Sequence, residues 1–165
     1  MAKRQVFYSF YYVPDNWRVS QVRNIGQIEV NKSVSDNKWE EVKKKGQEAI
    51  QDWIDENLKY RSCTVILVGE DTAKRKWIDY EIEKSWNDGK GLVGIHIHNL
   101  KNSKSEQSSK GTNPFEHFTL GDSIKLSSIV KCYNPPYSVS TNVYNHIKDN
   151  LEDWVEEAIK IRNKH

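Results

Sequence analysis

Trp77 and Glu81 stand four residues apart, a spacing that puts both side chains on one face of a helix. An aromatic wall beside a carboxylate suits a flat cationic ring attached to a sugar. The carboxylate would stabilise positive charge developing at the anomeric carbon, as carboxylates do in glycoside cleavage. The plain alternative is a solvated glutamate favoured by the helix dipole, with Trp77 in the core. Glu83 lies off that face. Ser9 has no His or Asp partner at a nucleophile's spacing, so a hydroxyl that hydrogen-bonds in a pocket is the better reading. His96 and His98 alternate on one strand face, as metal ligands can. No third ligand accompanies them, so strand-end packing or solvent exposure is the better account and no metal is expected. Lys74-Arg75-Lys76 can meet phosphate at a helix start or simply be exposed. Cys63 and Cys132 sit in apolar runs without a CxxC or His partner, so they read as small buried apolar residues.

The elements that must position these residues are legible in the hydrophobic pattern. Val6 to Phe10 reads as a short buried strand. Asp15 can cap a helix through Trp17, Val19 and Val22, which Gly26 stops. Ile25 to Val30 reads as a weaker strand. Asn37 and Glu40 look like a capping box, and the apolar positions from Trp39 to Leu58 then predict one helix of roughly twenty residues. Gly46 falls inside it, which a close packing contact would explain. Cys63 to Gly69 is a continuous β-branched run, the pattern of a strand covered on both faces. A helix is expected from about Lys76 to Asn87, closed by Asp88-Gly89. Leu92 to Ile97 and Ile129 to Tyr133 read as further strands. Lys101 to Asn113 has no periodicity and reads as a mobile loop. Ser140 or Thr141 can cap a final helix through Ile159.

Alternation of strands and helices predicts an α/β fold. We expect one flavodoxin-like domain over residues 1–165: an open, mostly parallel sheet of about five strands with helices on both faces. Ligands of such sheets bind outside the carboxyl ends of the strands at the switch in strand order. The loops to inspect are therefore Ser9 to Asp15 and Gly69 to Trp77.

Composition narrows the function classes. The chain has 165 residues, with 25 Lys+Arg against 23 Asp+Glu. A charge of +2 does not mark a nucleic-acid binder. Six Trp, eight Tyr and four Phe argue against global disorder despite a mean hydropathy of −0.82. No apolar run is long enough to span a membrane, and the start is too short in apolar residues for a secretory signal. The cysteine usage fits a reducing compartment, and a cytoplasmic location is expected. There is no GxGxxG, no GxxxxGK[ST] and no GxSxG.

Two segments carry a resemblance. Val6-Phe7-Tyr8-Ser9-Phe10 resembles the first box of TIR domains, and Lys76-Trp77-Ile78-Asp79-Tyr80-Glu81-Ile82-Glu83 resembles the Trp-x-x-x-Glu segment of TIR enzymes that cleave NAD. The chain as a whole is most similar to the ThsB-like TIR family of the Thoeris antiphage system. Supporting stretches are Asp15 to Asn24, Trp39 to Gly46, Val65 to Gly69, Gly94 to His98 and Lys110 to Phe115. The resemblance implies a TIR-like domain in a cytoplasmic bacterial enzyme that responds to phage infection. Such an enzyme cleaves the nicotinamide–ribose bond of NAD and can close the ADP-ribose into a cyclic isomer that activates a separate effector protein. It implies that Glu81 is catalytic, that Trp77 shapes the nicotinamide end, and that Ser9, Phe10 and Tyr11 line the pocket from the first loop. NAD is then a substrate and no resident cofactor is expected. A phage-derived trigger and self-assembly belong to the same expectation. Val30 to Asp36, where many TIR domains carry a loop for assembly and substrate closure, has no residue-by-residue match. The alternatives are a non-catalytic TIR-like interaction module and, more distantly, a nucleotide-binding or receiver-like regulator.

Overall fold

A computed structural model describes residues 4–26, 29–30 and 41–165. Its strands are β1 Gln5–Ser9, β2 Glu29–Val30, β3 Cys63–Val68, β4 Gly91–His96 and β5 Cys132–Tyr133. They form one parallel sheet in the order β2-β1-β3-β4-β5. The helices are α1 Tyr12–Arg23, α2 Gln47–Leu58, α3 Lys76–Asn87 and α4 Ser140–Asn163. This is the α/β, flavodoxin-like arrangement the pattern predicts, and the strand order reverses between β1 and β3. Among the described residues no helix is long and apolar enough to cross a membrane.

Strand parity decides which helix each side chain meets. Val6 and Tyr8 of β1, Val65 and Leu67 of β3, and Val93 and Ile95 of β4 pack with α1 and α4. The opposite parity of β3 and β4, Ile66, Val68 and Leu92, packs under α3 with Phe115, Leu126 and Val130. Phe7 of β1 meets Ile50, Ile54 and Leu58 of α2. Ser9 shares the parity of Phe7 and so faces the α2–α3 side. All six residues of β3 are buried, as the unbroken apolar run requires.

Several boundaries differ from the pattern reading, each for a physical reason. The expected twenty-residue helix is interrupted at Gly46, whose φ of 97° and ψ of −178° belong to a region open almost only to glycine. A Cβ there would meet nothing within 4 Å, so backbone conformation and not close packing requires this glycine. Asn37, Trp39 and Glu40 lie outside the described residues, as does most of Val30 to Asp36. Asp15 does not cap α1: the helix begins at Tyr12 and Asp15 is buried in its first turn against Arg18. Ser140 opens α4 without capping it, and its hydroxyl accepts the Lys101 N–H at 3.1 Å. The last strand is only Cys132–Tyr133, because Leu126–Ser128 forms a 3-10 turn that delivers Val130 to the core.

Residues 101–113 carry no regular element but are tied to the body. The Ser108 N–H donates to His98 O at 2.9 Å, and Gln107 Nε2 donates to Asn99 O and Ser138 O. Arg18 Nη2 donates to Glu106 O at 3.0 Å.

Candidate functional site

Beyond the carboxyl ends of β1 and β3 lies a cavity of about 750 Å³. That volume suits a small organic ligand or a nucleotide. Its walls come from the two segments the topology singles out. Phe10, Tyr11, Tyr12 and Val13 leave β1, and Glu70 to Lys76 lead from β3 into α3. Trp53 and Ile54 of α2 close one side, and Trp77, Ile78 and Glu81 of α3 supply the base.

Glu81 is 7% exposed. Ser9 Oγ, 1% exposed at the end of β1, donates to its Oε1 at 3.0 Å. Burial pushes the Glu81 carboxyl up to about 8, and the Ser9 hydrogen bond pulls in the opposite direction. At neutral pH burial therefore holds this carboxyl mostly protonated. A cation placed beside it favours the ionised form. An unusual pKa inside a concave pocket is the combination expected of a reactive site.

The scaffold holds α3 in place from three directions. Ile78 and Ile82 enter the core below the sheet. The Ser85 hydroxyl lies 2.7 Å from Thr64 Oγ1 of β3, which satisfies two buried hydroxyls together. Tyr80 donates to Asp55 Oδ1 of α2 at 2.6 Å. Trp77 rests edge-on against Tyr80, with ring centroids 5.7 Å apart, and packs beside the α2 cluster. It is partly buried against that cluster and also a wall of the cavity, so each of the two readings of its spacing holds in part.

The structure brings Ser9, Phe10, Tyr11, Trp77 and Glu81 into one neighbourhood. Four of them line the cavity, while Ser9 reaches it through Glu81. His96 and His98 are elsewhere: both are buried at the end of β4, with rings 5.8 Å apart. Burial lowers both imidazoles, His96 to about 4. Among the described residues no group of three metal-ligating side chains forms. Cys63 is buried and Cys132 half-buried, both as free thiols.

Three features were not evident from spacing. Arg75 lays its guanidinium over the Tyr11 ring, Cζ 3.4 Å from the centroid. The cavity is lined by Arg23, Lys43, Lys74, Arg75 and Lys76 against Glu70, Asp71 and Glu81, so its basic residues outnumber its acidic ones. Arg18 is a buried hub that donates to Asp15 Oδ1, Leu100 O and Glu106 O at 3.1, 2.8 and 3.0 Å. The basic run at 74–76 was the only sequence signal for any of these.

Comparison with known proteins adds to this geometry. The family model described as Thoeris protein ThsB, TIR-like domain, matches residues 7–102. That span contains Ser9, Phe10, Tyr11, Trp77 and Glu81. A protein of Bacillus cereus (strain MSX-D12) named "Putative cyclic ADP-D-ribose synthase ThsB1" is 38% identical over 122 residues. The match covers 71% of this chain and 63% of the relative, so the chain spans less than two thirds of that protein's length.

Proposed function

This chain belongs to the ThsB TIR-like domain family, and from that premise we propose that it cleaves the nicotinamide–ribose bond of NAD and closes the ADP-ribose into a cyclic signal. The observation that carries the proposal is the buried Glu81 carboxyl, hydrogen-bonded by Ser9, at the base of a cavity that can admit a nucleotide.

In this mechanism the nicotinamide ring enters beside Trp77, its positive charge near Glu81. The incoming pyridinium lowers the pKa of the Glu81 carboxyl, whose proton passes to solvent as the cation binds. As the bond to nicotinamide breaks, positive charge moves from the ring to the anomeric carbon and its ring oxygen. The carboxylate follows that charge in a poorly solvated site, where its stabilising effect is largest. Ser9 holds one carboxylate oxygen, leaving the other to face the sugar. Cyclisation then needs a nucleophile of the same molecule to reach the anomeric carbon before water does. The aromatic walls from Phe10, Tyr11 and Trp77 favour that outcome by excluding water.

In this reading NAD is a substrate and no resident cofactor takes part. The product acts in the cytoplasm on a separate effector protein, and phage infection supplies the trigger. The test is mass-detected chromatography of cells carrying the wild-type chain or Glu81→Gln, before and after infection. Nicotinamide and a cyclic ADP-ribose isomer should accumulate after infection in wild-type cells only. Protection from phage by the wild type without either product would overturn the reading and favour a non-catalytic interaction module.

A further inference from the structure

Lys74, Arg75 and Lys76 separate according to what they touch. Lys76 is committed to the scaffold: its Nζ donates to Gln47 Oε1 of α2 at 2.5 Å and sits 5.1 Å above the Trp77 ring. Arg75 instead reaches across the mouth of the cavity to Tyr11, joining the turn before α3 to the loop after β1. Its guanidinium makes no hydrogen bond to a described residue, so its planar N–H edge remains available to an oxygen ligand. Lys74 lines the same cavity at a φ of 68°, uncommon for a lysine. No described carboxylate lies within ion-pair distance of either side chain.

We infer that Arg75 and Lys74 form a diphosphate subsite at the mouth of the cavity, which makes the site selective for a dinucleotide over a nucleoside. The inference takes the nature of the substrate from the reading above. A guanidinium fork matches phosphate oxygens in pairs, and the neighbouring ammonium adds a second positive charge. The spacing fits. Arg75 precedes Glu81 by six residues, about 9 Å along the axis of α3. A ribose ring and a methylene separate the anomeric carbon from the nearer phosphorus. A sugar held with its anomeric carbon at Glu81 can therefore place its diphosphate within reach of Arg75, which lines the same cavity. Glu70 and Asp71 oppose an anion on that wall; Glu70 is held by the Ser109 N–H at 3.2 Å, and the basic side chains prevail in number. Tyr11 keeps the guanidinium extended over the opening when no phosphate is present, so little ordering remains to be done on binding.

The test is calorimetric titration of the full chain with ADP-ribose and, separately, with adenosine. ADP-ribose should bind more tightly than adenosine, with an affinity that weakens as salt rises. Arg75→Gln and Lys74→Gln should each weaken ADP-ribose roughly tenfold, and Arg75→Lys should recover much of the loss. Adenosine binding should not change. Both side chains are exposed, and unaltered melting curves would verify folding. Equal ADP-ribose affinity in wild type and both glutamine variants would overturn the subsite, as would no binding of ADP-ribose by the wild type. Charge-dependent ADP-ribose binding in a chain that never releases nicotinamide would leave the subsite standing and remove the catalytic reading instead.

Discussion

Ser9 Oγ donates a hydrogen bond to Glu81 Oε1 at 3.0 Å, across 72 residues of sequence and inside the protein. The contact exists because Ser9 shares strand parity with Phe7 and because α3 lies over that face of the sheet. It joins the strand at the centre of the sheet's order reversal to the helix that leaves its neighbour. It also moderates the protonation of the carboxyl: burial disfavours the charged form and dominates, and the hydroxyl opposes it in part.

If Glu81 acts as an ionised carboxylate, kcat/KM for nicotinamide release should rise with pH through about 8, the value its burial imposes on the free enzyme. Ser9→Ala removes the group that favours ionisation, so the rising limb should move to higher pH, with a rate loss of roughly tenfold at pH 7. Glu81→Gln should flatten the profile and lower it by about a hundredfold or more. Nicotinamide release measured from pH 5 to 9 in all three proteins checks each point. An unshifted limb in Ser9→Ala would separate the hydrogen bond from the chemistry.

The same carboxyl links stability to pH. Unfolded, Glu81 loses its proton near 4.5; folded, it keeps the proton up to about 8. Between those values the native state binds more protons than the unfolded state, so this group's contribution to stability falls as pH rises. Glu81→Gln carries no such proton. Its melting temperature relative to wild type should therefore climb across the window, by a free energy of a few kcal/mol. His96 and His98 act in the opposite sense, because burial lowers them and acid then favours unfolding. They are present in both proteins, so the difference isolates Glu81. Paired melts at pH 5 and pH 8 suffice, and equal differences at the two values would contradict the burial argument.

What was legible in the sequence follows from the range of the forces. The helix at 76–87 is local, with apolar residues at three- and four-residue steps and a glycine stop, and its bounds read off directly. The switch point follows from strand order, so the two loops that wall the cavity could be named. Gly46 could not be resolved, because a glycine tolerated for close packing and one required by a left-handed φ look identical in sequence. Asp15 carries the signature of a cap, yet its partner Arg18 turns it inward, and that choice depends on Leu100 and Glu106 far along the chain. The Arg75–Tyr11 stack likewise joins residues whose proximity only the tertiary structure supplies.

Arg18 and Asp15 are 4% and 1% exposed and form a buried ion pair, in which Arg18 is the partner of the Asp15 carboxylate. Burial raises the Asp15 carboxyl and Arg18 opposes that rise. Arg18→Met leaves an uncompensated carboxyl and takes the side-chain donor from the carbonyls of Leu100, Glu106 and Pro14. The expected cost is about 3–5 kcal/mol in urea unfolding. Asp15→Asn in the same protein should return part of it, since the stranded charge is gone. A double variant no more stable than Arg18→Met would show that the lost carbonyl bonds, not the charge, dominate.

Gly69 and Gly111 meet where residues 101–113 close on the end of β3. A Cβ on Gly111 would lie 2.1 Å from Gly69 O, a backbone atom that cannot swing aside. A Cβ on Gly69 would lie 2.1 Å from Asp15 Oδ2. The two glycines thus let a loop, a strand end and the first turn of α1 converge behind the cavity. Gly111→Ala should cost about 1–3 kcal/mol by forced separation of these backbones. It should also weaken nicotinamide release, because Glu70, Asp71, Ala73 and Lys74, which line the cavity, follow directly from Gly69. Gly121→Ala is the control: nothing lies within 4 Å of its Cβ, and the change should stay within about 0.5 kcal/mol. Urea midpoints and turnover measured together decide the matter. Lost stability with full turnover in Gly111→Ala would mean that the wall is set by α3 alone.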